Sequence, residues 1–140
     1  MTFTDAERTY LAGQSLGRLA TVTAKGAPQV RPVAFQLNAD GTIDIGGPDM
    51  TNSQKYRNLQ KNPQVSLVVD DMTPNEPEQV KPGWGRGVEV RGVAELLTVE
   101  VPPIAPEFFS KEIIRIHPRR ISSWHIDPAD PQGGVRSVGQ

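Results

Sequence analysis

The chain has 140 residues, with 15 basic against 16 acidic side chains and no cysteine. This length accommodates one domain with a hydrophobic core but is short for two. The near-zero net charge argues against nucleic acid or an anionic membrane as the main partner. The missing cysteines exclude disulfides, thiolate metal sites and cysteine nucleophiles. No apolar run is long enough to span a membrane and no signal-peptide pattern is present, so we expect a cytoplasmic protein.

The N-terminal part of the chain predicts a short helix followed by three strands. The segment TFTDAERTYLAGQ offers Thr4 or Asp5 as a helix cap, apolar residues at helical spacing and a terminating glycine. LGRLATVTA and PQVRPVAFQL follow as strands, separated by a Lys-Gly turn signal. Pro32 inside the second strand predicts an edge position or a bulge, because proline cannot donate to a strand ladder. The Asp-Gly pair at 40–41 predicts a hairpin turn into the third strand, TIDIGG.

The rest of the chain predicts one more helix and several longer strands. QVSLVVDD reads as a buried strand, and a polar, proline-broken loop covers 72–84. GRGVEVRGVAELL is a long strand in which Gly87 and Gly92 favour bends or close backbone approach. EIIRIHPRRISSWHID contains one or two strands. We expect one domain over 1–127 and a flexible C-terminal tail over 128–140.

Two short helices are too few for the crossovers of a parallel sheet. Strands spaced by hairpin turns instead predict a small antiparallel barrel with helical decoration. The expected fold class is therefore mainly β.

The helix predicted after the third strand has an unusual first turn. Thr51-x-x-Gln54 matches a capping box, which predicts a helix start at Asn52. The first turn carries hydroxyls, an amide and Lys55 but no acidic residue, although the free N–H groups of a helix start favour negative charge. Such a helix start is a binding site for phosphate, and acidic side chains would repel that ligand. The alternative is an ordinary capped helix with a solvated lysine.

A helical wheel separates the basic residues of this helix. At about 100° per residue, Tyr56 and Leu59 form a buried stripe and Lys55 lies beside it. Arg57 and Lys61 fall on the opposite side, where a solvated role is expected.

Other chemistry-bearing residues carry no strong motif. His117 and His125, eight residues apart and without cysteine, do not form a metal site, so no metal is expected. Asp70 and Asp71 are interpreted as a strand end running into water rather than a catalytic carboxylate pair. We therefore identify no catalytic side chain.

Five segments, in this order, resemble the flavin- and deazaflavin-binding split β-barrels related to pyridoxamine 5′-phosphate oxidase. They cover most of residues 10–127 and read LGRLATVTAKGAPQVRPVAF, IDIGG, SQKYRNLQKNPQVSLVVDD, RGVEVRGVAELL and IIRIHPRRISSWHID. The second helix and the last strand resemble in particular an actinobacterial branch that uses coenzyme F420. The resemblance implies a six-stranded antiparallel split barrel of the FMN-binding type, with short helices. It also implies a homodimer with a cofactor site at the subunit interface.

The resemblance also implies which residues hold the cofactor. Ser53 and Lys55, with Asn52, are assigned to its phosphate, and Arg57 and Lys61 to an acidic tail. Trp124 closes the site from the partner chain. The residues assigned to flank the ring system are Arg31, Pro32, Val33, Ile45 and Gly46.

Three functions remain open at this point. The first is an F420-dependent oxidoreductase that transfers a hydride between the reduced coenzyme and an unsaturated or quinone-like small molecule. The second is an FMN-binding oxidoreductase of the same fold, and the third is a non-catalytic carrier of flavin or F420. The absence of a catalytic side chain fits all three, because the cofactor performs the hydride chemistry. The chain lacks the fuller arginine set of true pyridoxamine phosphate oxidases, which argues against that specific activity.

Overall fold

Seven antiparallel strands and two short helices make up residues 2–139, the part of the chain that this computed structural model describes. A single turn of 3₁₀ helix, Met50–Asn52, precedes the second helix. The elements are α1 (Asp5–Ala12), β1 (Leu16–Val22), β2 (Pro28–Leu37), β3 (Ile43–Gly46), α2 (Gln54–Lys61), β4 (Gln64–Met72), β5 (Gly85–Thr98), β6 (Glu112–Trp124) and β7 (Gly134–Ser137). No helix within these residues is long and apolar enough to cross a membrane.

Six of the strands close into a barrel. The pairing order is β3-β2-β1-β4-β5-β6-β7, and β3 also pairs with β6, so the sheet closes on itself and β7 lies outside. Side chains that point inward from all six strands fill the barrel with a continuous apolar core. The predicted six-stranded antiparallel barrel is confirmed.

The closing pair of strands is fastened by one ion pair. Asp44 of β3 lies opposite Arg115 of β6 in the ladder. The guanidinium donates two hydrogen bonds to the carboxylate, of 2.8 and 3.0 Å. Asp44 is almost completely buried, so its charge needs this bidentate partner.

Irregular strand positions lie where the sequence predicts them. β2 pairs with β1 along residues 28–34 but with β3 only along 34–37, so Pro32 has an open edge on one side and needs no second ladder partner. β5 bulges between Arg91 and Gly92. A Cβ at Gly92 would overlap the backbone carbonyl oxygen of His117, so only glycine fits there.

The expectation of a loose tail over 128–140 is wrong where β7 forms. Residues 134–137 pair with β6. Arg136 also donates to both carboxylate oxygens of Glu7, at 3.0 and 2.6 Å, and to the carbonyl of Thr2 at 2.7 Å. Glu7 belongs to a capping box with Thr4, which is the N-cap of α1. β7 is thus fastened to the N-terminal helix.

The predicted start of α2 at Asn52 is wrong by two residues. Ser53 has an extended backbone and is the N-cap, with its hydroxyl accepting from the N–H of Tyr56 at 3.3 Å. Thr51 lies in the preceding 3₁₀ turn, which the extended residue separates from the helix. The capping-box match in the sequence therefore located the β3–α2 junction correctly but assigned the wrong residue as the N-cap.

Candidate functional site

Two basic side chains, Lys55 of α2 and Arg31 of β2, influence each other near the β3–α2 connection. The first N–H groups of α2 have no acceptor within the helix, and the macrodipole adds partial positive charge at this end. The Ser53 hydroxyl is already engaged, since it caps α2 and donates to the carbonyl of Met50 at 2.6 Å. The residues that remain for an anion are the backbone donors and the nearby cations.

Lys55 and Arg31 are those cations. Lys55 is half-buried, and this burial, together with the positive charge of Arg31, holds the pKa of Lys55 below its ordinary value. Neither side chain forms an ion pair with a carboxylate of residues 2–139. Two cations that repel each other without an acidic partner make a site complementary to an anion such as phosphate.

The remaining basic residues of α2 have other surroundings. Arg57 donates to the carbonyl of Asn52 at 2.7 Å and to the amide oxygen of Gln54 at 3.0 Å, so it braces the helix start. The Asn52 amide donates to Asp49 at 2.8 Å. Lys61 is exposed in the last turn, as the helical wheel predicts.

Asn58 is a buried polar residue that the sequence did not single out. Its amide nitrogen donates to Thr21 at 2.9 Å and to Gln29 at 3.3 Å, and its oxygen accepts from Gln54 at 2.7 Å. These bonds fix α2 across the ends of β1 and β2. At about 100° per residue Asn58 falls nearer to Lys61 than to Tyr56, so the helical wheel gave no sign of its burial.

The residues assigned to flank a ring differ in whether they are buried or exposed. Val33 and Ile45 point into the barrel core and are buried, so only their backbone could face a ligand. Pro32 is exposed on the outer surface. Gly46 lies against Phe109, because a Cβ placed there would come within 2.9 Å of that ring. The glycine therefore permits close approach of a flat ring, and in the monomer the approaching ring is phenylalanine.

Phe109 belongs to the segment 99–111, which folds over the β3–α2 connection. Ser110 accepts from the N–H of Met50 at 3.0 Å and donates to the carbonyl of Gly47 at 2.9 Å. These two bonds hold the segment beside the candidate phosphate site.

Trp124 is distant from Lys55 within one chain. It ends β6 opposite Gly87 of β5, next to Arg86, which stacks on Tyr10 of α1. α2 ends instead near Ala94 of β5, whose N–H donates to the carbonyl of Pro63. Ala94 lies seven residues beyond Gly87 along β5. One protomer therefore does not bring Trp124 to the start of α2.

The histidines and the aspartate pair have structural partners. His117 lies in β6 with Nε2 2.8 Å from Glu95. Asp70 pairs with Arg18, and Asp71 accepts two hydrogen bonds from Arg86 and one from Tyr10. The aspartates are thus held in ion pairs rather than running freely into water.

Comparison with known proteins places these features in a family. The family model for pyridoxamine 5′-phosphate oxidase matches residues 3–125. A 5a,11a-dehydrotetracycline/5a,11a-dehydrooxytetracycline reductase of Streptomyces rimosus subsp. rimosus is 45% identical over 138 residues, which cover 98% of this chain and 92% of the relative.

Solved structures agree with this relationship. An F420 reductase superposes with a TM-score of 0.60 at 25% identity, covering 86% of this chain and 98% of that one. A conserved hypothetical protein of Mycobacterium tuberculosis gives a TM-score of 0.65 at 26% identity, covering 99% and 93%. The barrel topology and the extent of these matches show that the chain belongs to the pyridoxamine 5′-phosphate oxidase family of split β-barrels.

Proposed function

We propose that the protein is an F420-dependent reductase of an unsaturated, fused-ring small molecule. The chain is an oxidoreductase by its relationship to the named tetracycline-type reductase and to the F420 reductase. The finer assignment rests on one observation, the start of α2, where Ser53 caps a first turn that holds Lys55 and no acidic residue.

The donor set at this junction fits the phosphate of a flavin or deazaflavin. Lys55 and Arg31 supply charge, the first N–H groups of α2 supply backbone donors, and Ser53 fixes the helix start. An anion bound here relieves the repulsion between the two cations. The preference for F420 over FMN rests on the likeness to the F420 reductase, since Arg57 and Lys61 lie on the side of α2 away from Lys55.

The order of residues along β2 supports a ring site next to the phosphate site. From Arg31 to Ala34 the strand advances about 10 Å. The five-carbon chain that joins phosphate and ring in flavins and deazaflavins bridges such a span. Gly46, which pairs with Ala34, lies at the far end of it; Phe109 covers the face of Gly46, so we place the ring beside Phe109.

The protein's own part in the reaction is binding, orientation and exclusion of water. When bound, a reduced deazaflavin would supply the hydride for one carbon of a conjugated double bond, and the proton for the neighbouring carbon would come from solvent. No side chain of the chain needs to act as a nucleophile in this chemistry.

We further propose that the protein acts as a homodimer. Trp124 lies away from Lys55 in one chain, and a partner chain can bring a second Trp124 to the site. Several large apolar side chains are exposed on the monomer, among them Leu16 and Val30 of the outer sheet face. A dimer buries such surface.

The alternatives are an FMN-dependent oxidoreductase of the same fold and a non-catalytic carrier. Separate fluorescence titrations with F420 and FMN distinguish the cofactors, and the proposal expects tighter binding of F420. Equal or tighter binding of FMN would favour the second reading.

The reaction is tested by following reduced F420 spectroscopically with 5a,11a-dehydrotetracycline and with a simple benzoquinone. Oxidation of the coenzyme that depends on protein and acceptor is the expected result. Tight F420 binding without turnover of either acceptor would favour the carrier.

A further inference from the structure

An open cleft of about 870 Å³ lies between α1, β2 and the segment 99–111. The cofactor site proposed above does not include this cleft. Its walls come from the C-terminal half of α1, from residues 34–39 of β2 and the following turn, and from residues 103–105.

The walls of the cleft are largely apolar and its rim is polar. Leu37 and Ile104 contribute apolar surface, with the buried Leu11 and Phe35 beneath them, and Gln36 and Arg8 contribute hydrogen-bond donors. Arg8 forms no ion pair with a carboxylate of residues 2–139. The chemistry of this lining suits a flat apolar molecule with oxygen atoms along one edge.

The segment 99–111 is held in a defined shape where it borders the cleft. Ala105 has a positive φ of 43°, which is uncommon for a residue with a side chain. Its carbonyl accepts from the N–H groups of both Phe108 and Phe109, each at 2.9 Å. This turn points Phe109 onto Gly46 and leaves Ile104 on the wall of the cleft.

The cleft borders the β2 end of the proposed ring site. Ala34 lines the cleft and pairs with Gly46, whose open side is covered by Phe109 and Ile104. A molecule in the cleft therefore lies at the end of β2 opposite to Arg31 and adjacent to the position proposed for the cofactor ring.

We propose that this cleft is the substrate site and that it selects fused polycyclic ketones, with Ile104 as a specificity-determining residue and Arg8 as the partner of the substrate's oxygen edge. A volume near 870 Å³ exceeds the need of a single ring and accommodates several fused rings. A substrate with an enolised 1,3-diketone along one edge would present partial negative charge to Arg8. This inference rests on the proposed function for the reaction but concerns a separate set of residues.

The test compares two tryptophan substitutions in the same segment. Ile104→Trp places a large ring in the cleft, whereas Val101→Trp is its control, because Val101 is 69% exposed and does not line the cleft. Binding of tetracycline, the 5a,11a-reduced form of dehydrotetracycline, is measured by fluorescence on the protein without cofactor. Ile104→Trp should weaken tetracycline binding by about tenfold or more, and Val101→Trp by less than about twofold.

Two further measurements separate this inference from the proposed function. In Val101→Trp, F420 affinity and benzoquinone reduction should stay within about twofold of the parent, while in Ile104→Trp the KM for dehydrotetracycline rises at least about tenfold. Absence of F420 turnover with every acceptor would overturn the proposed function, yet tetracycline binding would still test the cleft.

Arg8→Ala provides a second variant on a different wall, should Ile104→Trp fail to fold. It should weaken tetracycline binding by about tenfold, since a charge-assisted hydrogen bond is lost. Tetracycline binding equal to the parent in both variants would overturn the assignment of the cleft, as would equal losses in Ile104→Trp and Val101→Trp.

Discussion

Lys55 is held in an unfavourable place in the protein without ligand. Burial and the charge of Arg31 both disfavour its protonated form, which lowers its pKa. A bound phosphate reverses both effects by supplying negative charge. Lys55→Ala should therefore lower F420 affinity tenfold to a hundredfold, or about 1.5–3 kcal/mol, as calorimetric titration can measure.

Lys61→Ala is the matched control for this prediction. Lys61 is exposed on the same helix, and its removal should cost less than about 0.5 kcal/mol in binding. Equal, salt-sensitive losses from both variants would indicate a diffuse basic attraction instead of a specific phosphate contact. Unchanged binding by Lys55→Ala would remove the phosphate site from this helix.

Gly92, at the bulge of β5, lies tightly against the backbone of β6. A Cβ there would overlap the carbonyl oxygen of His117 on the paired strand. Gly92→Ala should lower the free energy of unfolding by about 2–4 kcal/mol, because two backbones must move apart. Chemical denaturation measures the change.

Gly134→Ala is the control within a strand. Gly134 lies in β7, has no positive φ, and a Cβ there meets nothing within 4 Å. Its substitution should change stability by less than about 0.5 kcal/mol. Similar losses in the two variants would show that the close approach of the two backbones at Gly92 does not cause the loss of stability.

Besides its pairing with β6, β7 is held to α1 by an ion pair between Arg136 and Glu7. The Glu7 side chain is only 1% exposed, and burial alone would raise its pKa. Hydrogen bonds from Arg136, the Thr4 backbone and Ser123 outweigh burial and hold the pKa of Glu7 below its ordinary value. Arg136→Met leaves a buried carboxylate without its partner, and we expect a loss of about 2–4 kcal/mol near neutral pH.

The pH dependence of that loss follows from the direction of the Glu7 shift. A lowered pKa in the folded state means that the pair stabilises the fold above the ordinary pKa of 4.5, and that this stability is lost as pH falls through the folded value. The difference between the parent and Arg136→Met should therefore shrink in acid. Thermal unfolding from pH 7 down to pH 3 measures it, and a difference independent of pH would contradict the ionic explanation.

Glu7→Gln/Arg136→Met is the double variant that checks the same pair. It removes the unpaired charge and should recover part of the stability lost in the single variant. No recovery would mean that Arg136 acts mainly through its bond to the Thr2 carbonyl.

Local patterns predicted the elements well where neighbours in sequence decide the structure. The Thr4 cap, the Asp-Gly hairpin and the edge position of Pro32 each depend on a few adjacent residues. β7 was missed because its pairing to β6 and the bond from Arg136 to Glu7 join residues up to 129 apart. A polar, glycine-rich segment gives no local sign of such partners.

The candidate site was predictable to a similar degree. The helix start after β3 and its lysine were visible in sequence, whereas the proximity of Lys55 to Arg31 required the fold. The approach of Phe109 to Gly46 was not predictable, since the segment 99–111 carries no regular pattern.

The proposed cofactor site is complete only in a dimer, because each site needs residues from two chains. Static light scattering should give about 31 kDa, twice the 15.3 kDa of one chain. A mass near that of one chain at micromolar concentration would contradict the dimer.

Mixed dimers test the contribution of Trp124 directly. Lys55→Ala and Trp124→Ala should each weaken F420 binding on their own. When the two variants are co-expressed, random pairing should restore parental affinity at about a quarter of the sites, because mixed dimers hold one intact site. No restoration would place Trp124 outside the partner's site.

The closure of the barrel through β3 also has a consequence for folding order. Asp44 and Arg115 are 71 residues apart, so their strands meet only after a long loop has closed, which is slow and entropically costly. The connection from β3 to α2 that carries the candidate phosphate site begins at this same short strand. A ligand there can bind only a chain whose barrel has already closed, so it should slow unfolding and leave the rate of folding unchanged.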